Sequence, residues 1–219
     1  VGDRVMRDVL GAQRAGFRLA VQISHDYAHG EADNGAVPDA VIQDMSELLD
    51  IIRADMAKPQ PEPPSTVKAL LFDAGDILYH RPGRGEKLVQ FLSEVGIDPS
   101  RYLDMDRVEL TQAAYRGQMT QEEYQTAYLR LIGIEEPVLI QRGLDILQDE
   151  NTEVAYFEGV RETLHALKAQ GYLLGIVTDT VNSVRTKLKW FEQGGFGDVW
   201  DSIISSFEVG LKKPEAGIY

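Results

Sequence analysis

Four segments of this 219-residue chain place a charged or hydroxyl side chain at or beyond the end of a run that predicts a strand. Asp73 follows the run VKALLF, Thr178 follows YLLGIV, and Lys213 lies in the loop after DVWDSIIS. Asp3 follows the opening Val-Gly, and Asp8 comes five residues later. Because ligands of open α/β sheets bind beyond the carboxyl ends of the strands, these carboxylates, the hydroxyl and the ammonium group are candidates for one ligand site.

Each of these residues also has an ordinary structural explanation when it is taken alone. An Asp at the end of a strand is typical of turns and helix caps. Thr178 and Asp3 would cap the helices that follow them, and a lysine before a proline, such as Lys213, is typical of a solvated surface. The prediction of a functional site therefore depends on the whole set.

The spacing of apolar residues predicts the elements that carry this set. Short apolar runs predict strands, with Val1-Gly2 as the short end of a further strand beside the one that carries Asp73. The predicted strands are 18–24, 67–72, 172–177 and 198–205. Helical spacing predicts helices over 2–17, 46–56, 160–170 and 180–193, with Ser46 capping the second. Strands alternating with helices predict an α/β fold with a Rossmann-like, doubly wound parallel sheet.

Two further segments do not follow this alternation. Four of the nine residues of 58–66 are proline, which predicts a stiff extended linker. From Arg81 to about Ala155 the pattern is helical almost throughout, and it predicts no strand there.

The composition excludes several classes of protein. With 22 Lys and Arg against 35 Asp and Glu, the net charge is -13, which opposes binding to nucleic-acid phosphates. Without cysteine there is no disulfide, thiolate zinc site or cysteine nucleophile. No apolar run approaches the roughly 20 residues of a membrane span, and the first residues do not resemble a signal peptide. We therefore expect a cytoplasmic protein with neither a nucleic-acid nor a membrane partner.

Together the segments resemble a known family. LLFDAGDILY, GIVTDT, VGLKKPEAGIY and VGDRVMRDVLGAQRAGF resemble, in that order, the four motifs of the haloacid dehalogenase-like hydrolases. The resemblance implies that Asp73 is the nucleophile, that Thr178 holds a phosphoryl oxygen, and that Lys213 neutralises charge and orients Asp73. It also implies a Mg²⁺ ion bound by Asp73 and Asp3, with Asp8 in support.

Further implications of the resemblance concern neighbouring residues and the substrate. Asp179 would bind substrate beside Thr178, and the backbone carbonyl of Gly75 would be a Mg²⁺ ligand. The implied reaction is the hydrolysis of a small phosphate ester through an aspartyl-phosphate, which replaces one difficult step by two easier ones. Because nucleophile and substrate are both anionic, the reaction needs a hard cation such as Mg²⁺ and a lysine charge.

One position departs from the pattern of the family's phosphatases, which carry an Asp two residues after the nucleophile. This chain has Gly75 there, and the missing general acid and base typically contributes about 10²–10⁴-fold in rate. Asp76 is a possible substitute, although a shift by one residue normally redirects a side chain. A metal-independent 2-haloacid dehalogenase, which needs no proton for its leaving group, and a catalytically silent phosphate-binding fragment are the alternatives.

The motif order also departs from the family's, because the fourth motif opens the chain. A circularly permuted domain and a fragment spanning two tandem domains both explain this order, and the second allows pairing between swapped or tandem domains. By resemblance, 1–57 is the C-terminal half of the core, 58–66 the linker, 67–80 and 156–219 the rest of the core, and 81–155 a helical cap. Arg81 and Arg84 lie where they could reach the non-reacting end of a substrate.

Overall fold

The computed structural model describes residues 1–24, 35–58, 69–100 and 107–219. The strands are β1 Val21–Ile23, β2 Ala40–Ile42, β3 Ala69–Phe72, β4 Tyr79–His80, β5 Ala155–Tyr156, β6 Leu173–Thr178 and β7 Ser202–Ser205. The helices are α1 Leu10–Arg14, α2 Leu48–Met56, α3 Glu86–Glu94, α4 Val108–Tyr115, α5 Gln121–Ile132, α6 Pro137–Glu150, α7 Val160–Ala169, α8 Val184–Gln193 and α9 Ser206–Val209. A π-helical turn, Val5–Val9, leads into α1, and 3₁₀ turns lie at Met45–Glu47 and Ala216–Ile218.

A parallel sheet forms the centre of the fold, and the first two residues join its halves. β1 pairs with β2, and β6 pairs with both β3 and β7, all in parallel. On one side of the join, Gly2 N donates to Val21 O at 3.1 Å. On the other, Val1 N donates to Leu71 O at 2.7 Å and Asp73 N donates to Val1 O at 2.9 Å. The strand order is therefore β2, β1, Val1-Gly2, β3, β6, β7.

The main hydrophobic core lies against this sheet. β6 is buried along nearly its whole length, as expected for a strand covered on both faces. Phe72 at the end of β3 packs edge-to-face against Trp200, with ring centroids 5.9 Å apart. Phe191 of α8 lies 5.5 Å from the same Trp200 ring. These contacts pack the end of β3 against α8 and Trp200, while the parallel pairing of Phe72 with Ile176 places the carboxyl ends of β3 and β6 beside each other.

Helices α3 to α6, here called the helical segment, have a core of their own. Its buried apolar residues are Leu88, Phe91, Leu92, Tyr128, Leu129, Ile132, Ile134 and Ile140. The buried carboxylate of Glu150 accepts hydrogen bonds from Gly85 N at 3.0 Å and Leu88 N at 3.2 Å, which joins the end of α6 to the start of α3. β4 and β5 flank the segment in the chain and pair antiparallel.

The predicted α/β class with a Rossmann-like parallel sheet is confirmed. The short strand end Val1-Gly2 also lies beside the strand leading to Asp73, as predicted. None of the helices in the described ranges is long and apolar enough to cross a membrane.

Several local predictions were wrong. Ser46 is not a helix cap, because it lies inside the 3₁₀ turn that precedes α2. The N-cap of that turn is Asp44, whose side chain accepts from Ser46 N, and the N-cap of α2 is Glu47. β2 was missed altogether, and β5 begins within the stretch 81–155, for which no strand was predicted. Nearly all of the predicted linker lies outside the described residues.

Candidate active site

Five of the predicted residues lie around one cleft at the carboxyl end of the sheet. Asp73 follows β3, Thr178 ends β6, and Asp3 follows Val1-Gly2. Gly75 and Asp179 line the same cleft, which encloses about 850 Å³ including its open mouth. Lys213 and Asp8 are buried and lie against Asp73. One chain therefore brings together residues from all four motif-like segments.

Lys213 stands between two carboxylates in the centre of the site. Its Nζ lies 2.5 Å from Asp8 Oδ1 and 3.1 Å from Asp73 Oδ2, and the residue is only 1% exposed. Burial opposes the charge of Lys213, but the two carboxylates raise its pKa above the usual value. Burial likewise opposes the charge of Asp73, yet Lys213 and Arg7 bring the pKa of Asp73 below its usual value. Asp73 is therefore held as the carboxylate, the form in which it is nucleophilic.

Asp8 is fixed by close packing against the first strand end. Its Oδ2 accepts a hydrogen bond from Arg4 N at 3.0 Å, while its Oδ1 faces Lys213. A Cβ atom on Gly2 would lie 2.3 Å from both Cβ and Cγ of Asp8. The approach of Asp8 to Lys213 therefore requires glycine at position 2.

Asp179 bonds to the protein's own groups. Its Oδ1 accepts from Lys213 N at 3.1 Å, and its Oδ2 lies 3.3 Å from Arg7 Nη1. Burial raises the pKa of Asp179 despite these two partners. These contacts show Asp179 holding the Lys213 loop and Arg7, whereas its predicted contact with substrate stays a prediction.

Asp3 has a buried carboxylate oxygen, Oδ2, that makes no hydrogen bond. The residue is 2% exposed, and Arg4 Nε lies 3.8 Å from Asp3 Oδ2. Burial, followed by the charges of Asp73 and Asp8, raises the pKa of Asp3 to about 7. One carboxylate oxygen from each of Asp3, Asp8 and Asp73 lies within 4.8 Å of the others.

These carboxylates fit a Mg²⁺ ion. Mg²⁺ binds hard oxygen ligands, typically one or two carboxylates with water and substrate oxygens. The unbonded oxygen of Asp3 supplies such a ligand beside Asp73, and a cation there would relieve the repulsion that raises the pKa of Asp3. Lys213 and Arg4 already occupy the oxygens of Asp8, which suits Asp8 to a supporting role.

Comparison with known proteins identifies the family. A sequence model of the haloacid dehalogenase-like hydrolases matches residues 104–219, more than half of the chain. The chain belongs to this family. The matched range includes Thr178 and Lys213, whereas Asp3, Asp8 and Asp73 lie outside it.

Solved structures of haloacid dehalogenase-like proteins are similar to the chain. A crystal structure of a dehalogenase is 20% identical, with a TM-score of 0.50 over 71% of this chain and 69% of that one, and supports the fold. A 2-haloacid dehalogenase from Pseudomonas syringae pv. Tomato DC3000 is 22% identical, with a TM-score of 0.47 over 69% of each chain. A phosphatase of the family from Thermococcus onnurineus is 21% identical, with a TM-score of 0.43 over 69% and 67%. No curated protein sequence matched the chain.

The family's acid and base position is open in this structure. A Cβ atom on Gly75 would meet only the Oη atom of Tyr79 within 4 Å, at 4.0 Å. The next residue, Asp76, has φ of 59°, and its N donates to Tyr79 O at 2.8 Å. The left-handed backbone at Asp76 places a tight turn directly after Gly75.

The sequence analysis missed several lining residues of the cleft, among them Arg7, Tyr79 and Lys187. Arg7 lies in the fourth motif-like segment but was not singled out. Lys187 had a readable signal, because it stands three residues after Val184 and three before Trp190 on the apolar face of α8. A lysine at such a position normally extends its ammonium group to water, but Lys187 is only 4% exposed.

Proposed function

We propose that the chain is a Mg²⁺-dependent phosphatase that hydrolyses small phosphate esters through an aspartyl-phosphate on Asp73. The observation that carries this proposal is the arrangement around Lys213. A buried lysine bridges Asp73 and Asp8, and the unbonded carboxylate oxygen of Asp3 lies beside them. This combination keeps Asp73 ionised and leaves a place for a second positive charge.

The proposed roles follow from the positions of these groups. Asp73 attacks phosphorus, Lys213 limits the repulsion between the two anions, and Thr178 at the end of β6 contacts a phosphoryl oxygen. Asp3, Asp73 and the Gly75 carbonyl would hold Mg²⁺, with Asp8 supporting Asp3, and the bound ion would neutralise charge on the transferring group. Positioning and electrostatic stabilisation are the main sources of catalysis in such reactions.

The deciding assay is the hydrolysis of 4-nitrophenyl phosphate with Mg²⁺, compared with its hydrolysis in EDTA. We expect Mg²⁺-dependent turnover that Asp73→Asn abolishes, because the amide is a poor nucleophile. Asp201→Asn is the matched control, since Asp201 is partly exposed, pairs with Lys168 and does not line the cleft. Beryllofluoride binding without turnover of any phosphate would instead indicate the silent phosphate-binding protein.

The absence of a carboxylate at Gly75 favours one further candidate, a metal-independent 2-haloacid dehalogenase. There Asp73 would displace halide from carbon, and a halide leaves without a proton. Halide release from a 2-haloacid in EDTA, lost in Asp73→Asn, would support this candidate. Strict dependence of all turnover on Mg²⁺ would exclude it.

A further inference from the structure

Lys187 of α8 is a buried cation that the proposed reaction does not yet use. Its Nζ donates a hydrogen bond to Tyr79 Oη at 2.8 Å. The same atom lies 5.5 Å from the centroid of the Tyr79 ring and 5.7 Å from that of Trp190. Among the described residues, no carboxylate lies within 4.0 Å of Lys187 Nζ. A buried ammonium group without a paired carboxylate is costly, which calls for an explanation.

The position of this lysine is informative. Lys187 and Tyr79 line the cleft that Asp73, Gly75 and Thr178 also line. Tyr79 Oη lies 4.0 Å from the place where a Cβ atom on Gly75 would be. The hydrogen-bonded pair therefore borders the space that a side chain at position 75 would enter.

The chemistry of phosphate esters gives this position a use. When an alkyl ester is cleaved, the leaving oxygen carries a developing negative charge and needs a proton. A carboxylic acid at position 75 would supply it, but Gly75 has no side chain. An ammonium group next to the same space has protons to give.

The surroundings of Lys187 make its ammonium group unusually acidic. Burial is the main cause that lowers the pKa of Lys187 to about 8. Among the charged groups that act on it, Asp73 and Asp76 raise this pKa, while Arg81 and Lys213 lower it. An acid with a pKa near the working pH is well suited to give and regain a proton.

We propose that Lys187, held in place by Tyr79, is the catalytic acid and base that takes over the work of the missing carboxylate at Gly75. This role rests on the proposed phosphatase function. As the bond between phosphorus and the leaving oxygen breaks, Lys187 gives that oxygen a proton and becomes a neutral amine. The attacking water then gives a proton to the amine as the aspartyl-phosphate is hydrolysed, so that Asp73 and the ammonium group are both restored.

The dependence of the rate on the leaving group of the substrate distinguishes a proton-transfer role of Lys187 from a structural role. The variants are Lys187→Met and, as a matched control on the exposed side of α8, Lys189→Met. The substrates are benzyl phosphate, whose alkoxide needs a proton, and 4-nitrophenyl phosphate, whose phenolate needs little. In Lys187→Met we expect kcat to fall by about 10²–10⁴-fold for benzyl phosphate and by less than about tenfold for 4-nitrophenyl phosphate, whereas Lys189→Met retains both activities.

Three further variants test whether Lys187 transfers the proton. Lys187→Arg keeps the charge but cannot release a proton, so it should lose benzyl phosphate turnover as Lys187→Met does. Adding Gly75→Asp to Lys187→Met should restore benzyl phosphate turnover at least tenfold, because position 75 has room for a side chain. As Tyr79 is a positioning residue, Tyr79→Phe should move the alkaline limb of the kcat–pH profile for benzyl phosphate. That limb, near pH 8 in the wild type, should be missing in Lys187→Met.

The outcomes distinguish this proposal from the one on which it rests. If the wild type hydrolyses 4-nitrophenyl phosphate and Lys187→Met loses both substrates equally, the acid and base role is overturned while the phosphatase function stands. Full benzyl phosphate turnover in Lys187→Arg overturns it as well. If the wild type hydrolyses neither substrate, the phosphatase function fails, and the role of Lys187 fails with it. Should Lys187→Met not fold, as shown by its thermal melting, the comparison of Lys187→Arg with the wild type decides.

Discussion

Replacement of Lys213 by Met tests whether this lysine is the charge that holds the site together. In the wild type its Nζ lies 2.5 Å from Asp8 and 3.1 Å from Asp73, and all three side chains are less than 10% exposed. Removing one partner of a buried ion pair typically costs about 3–5 kcal/mol. In a protein of this size each kcal/mol moves Tm by about 2–4 °C, so Lys213→Met should melt about 6–20 °C below the wild type.

The loss should also depend on pH in a defined direction. Lys213 lowers the pKa of Asp73 in the folded protein. The stability that this lowered pKa contributes is complete above the pKa of Asp73 in the unfolded chain, about 4, and is lost as the pH falls below it. In Lys213→Met, burial and the neighbouring carboxylates should instead raise the pKa of Asp73. The variant should then lose stability as the pH rises from 5 to 8, widening its deficit.

Urea denaturation in EDTA at pH 5 and pH 8 measures this deficit. Lys168→Met is the control, because Lys168 also pairs with a carboxylate, Asp201, but both side chains are about one-third exposed and water screens the pair. A Lys213→Met protein with the wild-type urea midpoint would refute the reasoning. So would a deficit of equal size at both pH values.

Four further predictions concern Asp3, the packing at Gly2 and Gly75, and the cleft. The pKa of Asp3 is raised to about 7, so a proton should compete with Mg²⁺ for its carboxylate near neutral pH. Calorimetry should therefore show the Mg²⁺ affinity rising from pH 6 to pH 8, and Asp3→Asn should abolish this rise. Above its pKa the charge of Asp3 should destabilise the metal-free protein, so Asp3→Asn should raise the urea midpoint at pH 8 more than at pH 5. Gly2→Ala should lower the free energy of unfolding, measured by urea denaturation, by about 1–3 kcal/mol, because the added Cβ would overlap Asp8. Gly75→Ala should change the free energy of unfolding by no more than about 1 kcal/mol, because the space there is open. Arg84→Gln should raise KM for phosphate esters that carry a second anionic group, measured by steady-state kinetics, because Arg84 lines the cleft; an unchanged KM would remove this residue from substrate binding.

Sequence runs of six to eight residues made β1, β3, β6 and β7 predictable, whereas β2 and the antiparallel pair β4 and β5 were missed. VKALLF and YLLGIV are continuous and bounded by turns, and they became β3 and β6. β2 has only three residues, and β4 and β5 have two each, which is too short for a period to be read. Their positions depend on pairing with distant strands, which a local pattern does not contain.

The candidate site was predictable as far as strand ends could be located. The rule that ligands bind at the carboxyl ends of strands anticipated the meeting of Asp73, Thr178 and Lys213. It did not reveal that Asp179 would hold the Lys213 loop, because both oxygens are directed by tertiary contacts. Lys187 was missed because a lysine on an apolar helix face normally reaches water, whereas this lysine is buried with its ammonium group beside the rings of Tyr79 and Trp190.

The join at Val1-Gly2 has a consequence for how ligands stabilise the protein. Asp3 and Asp8 follow Val1-Gly2 in the chain, whereas Asp73 follows β3 on the other side of the join and pairs with Lys213. A ligand that bridges these groups would therefore connect the two halves of the sheet across Val1-Gly2. Its binding free energy would then oppose separation of the two halves of the sheet at Val1-Gly2. Amide hydrogen exchange at Gly2, Ile23 and Asp73 should therefore slow on ligand binding before exchange in the helical segment responds.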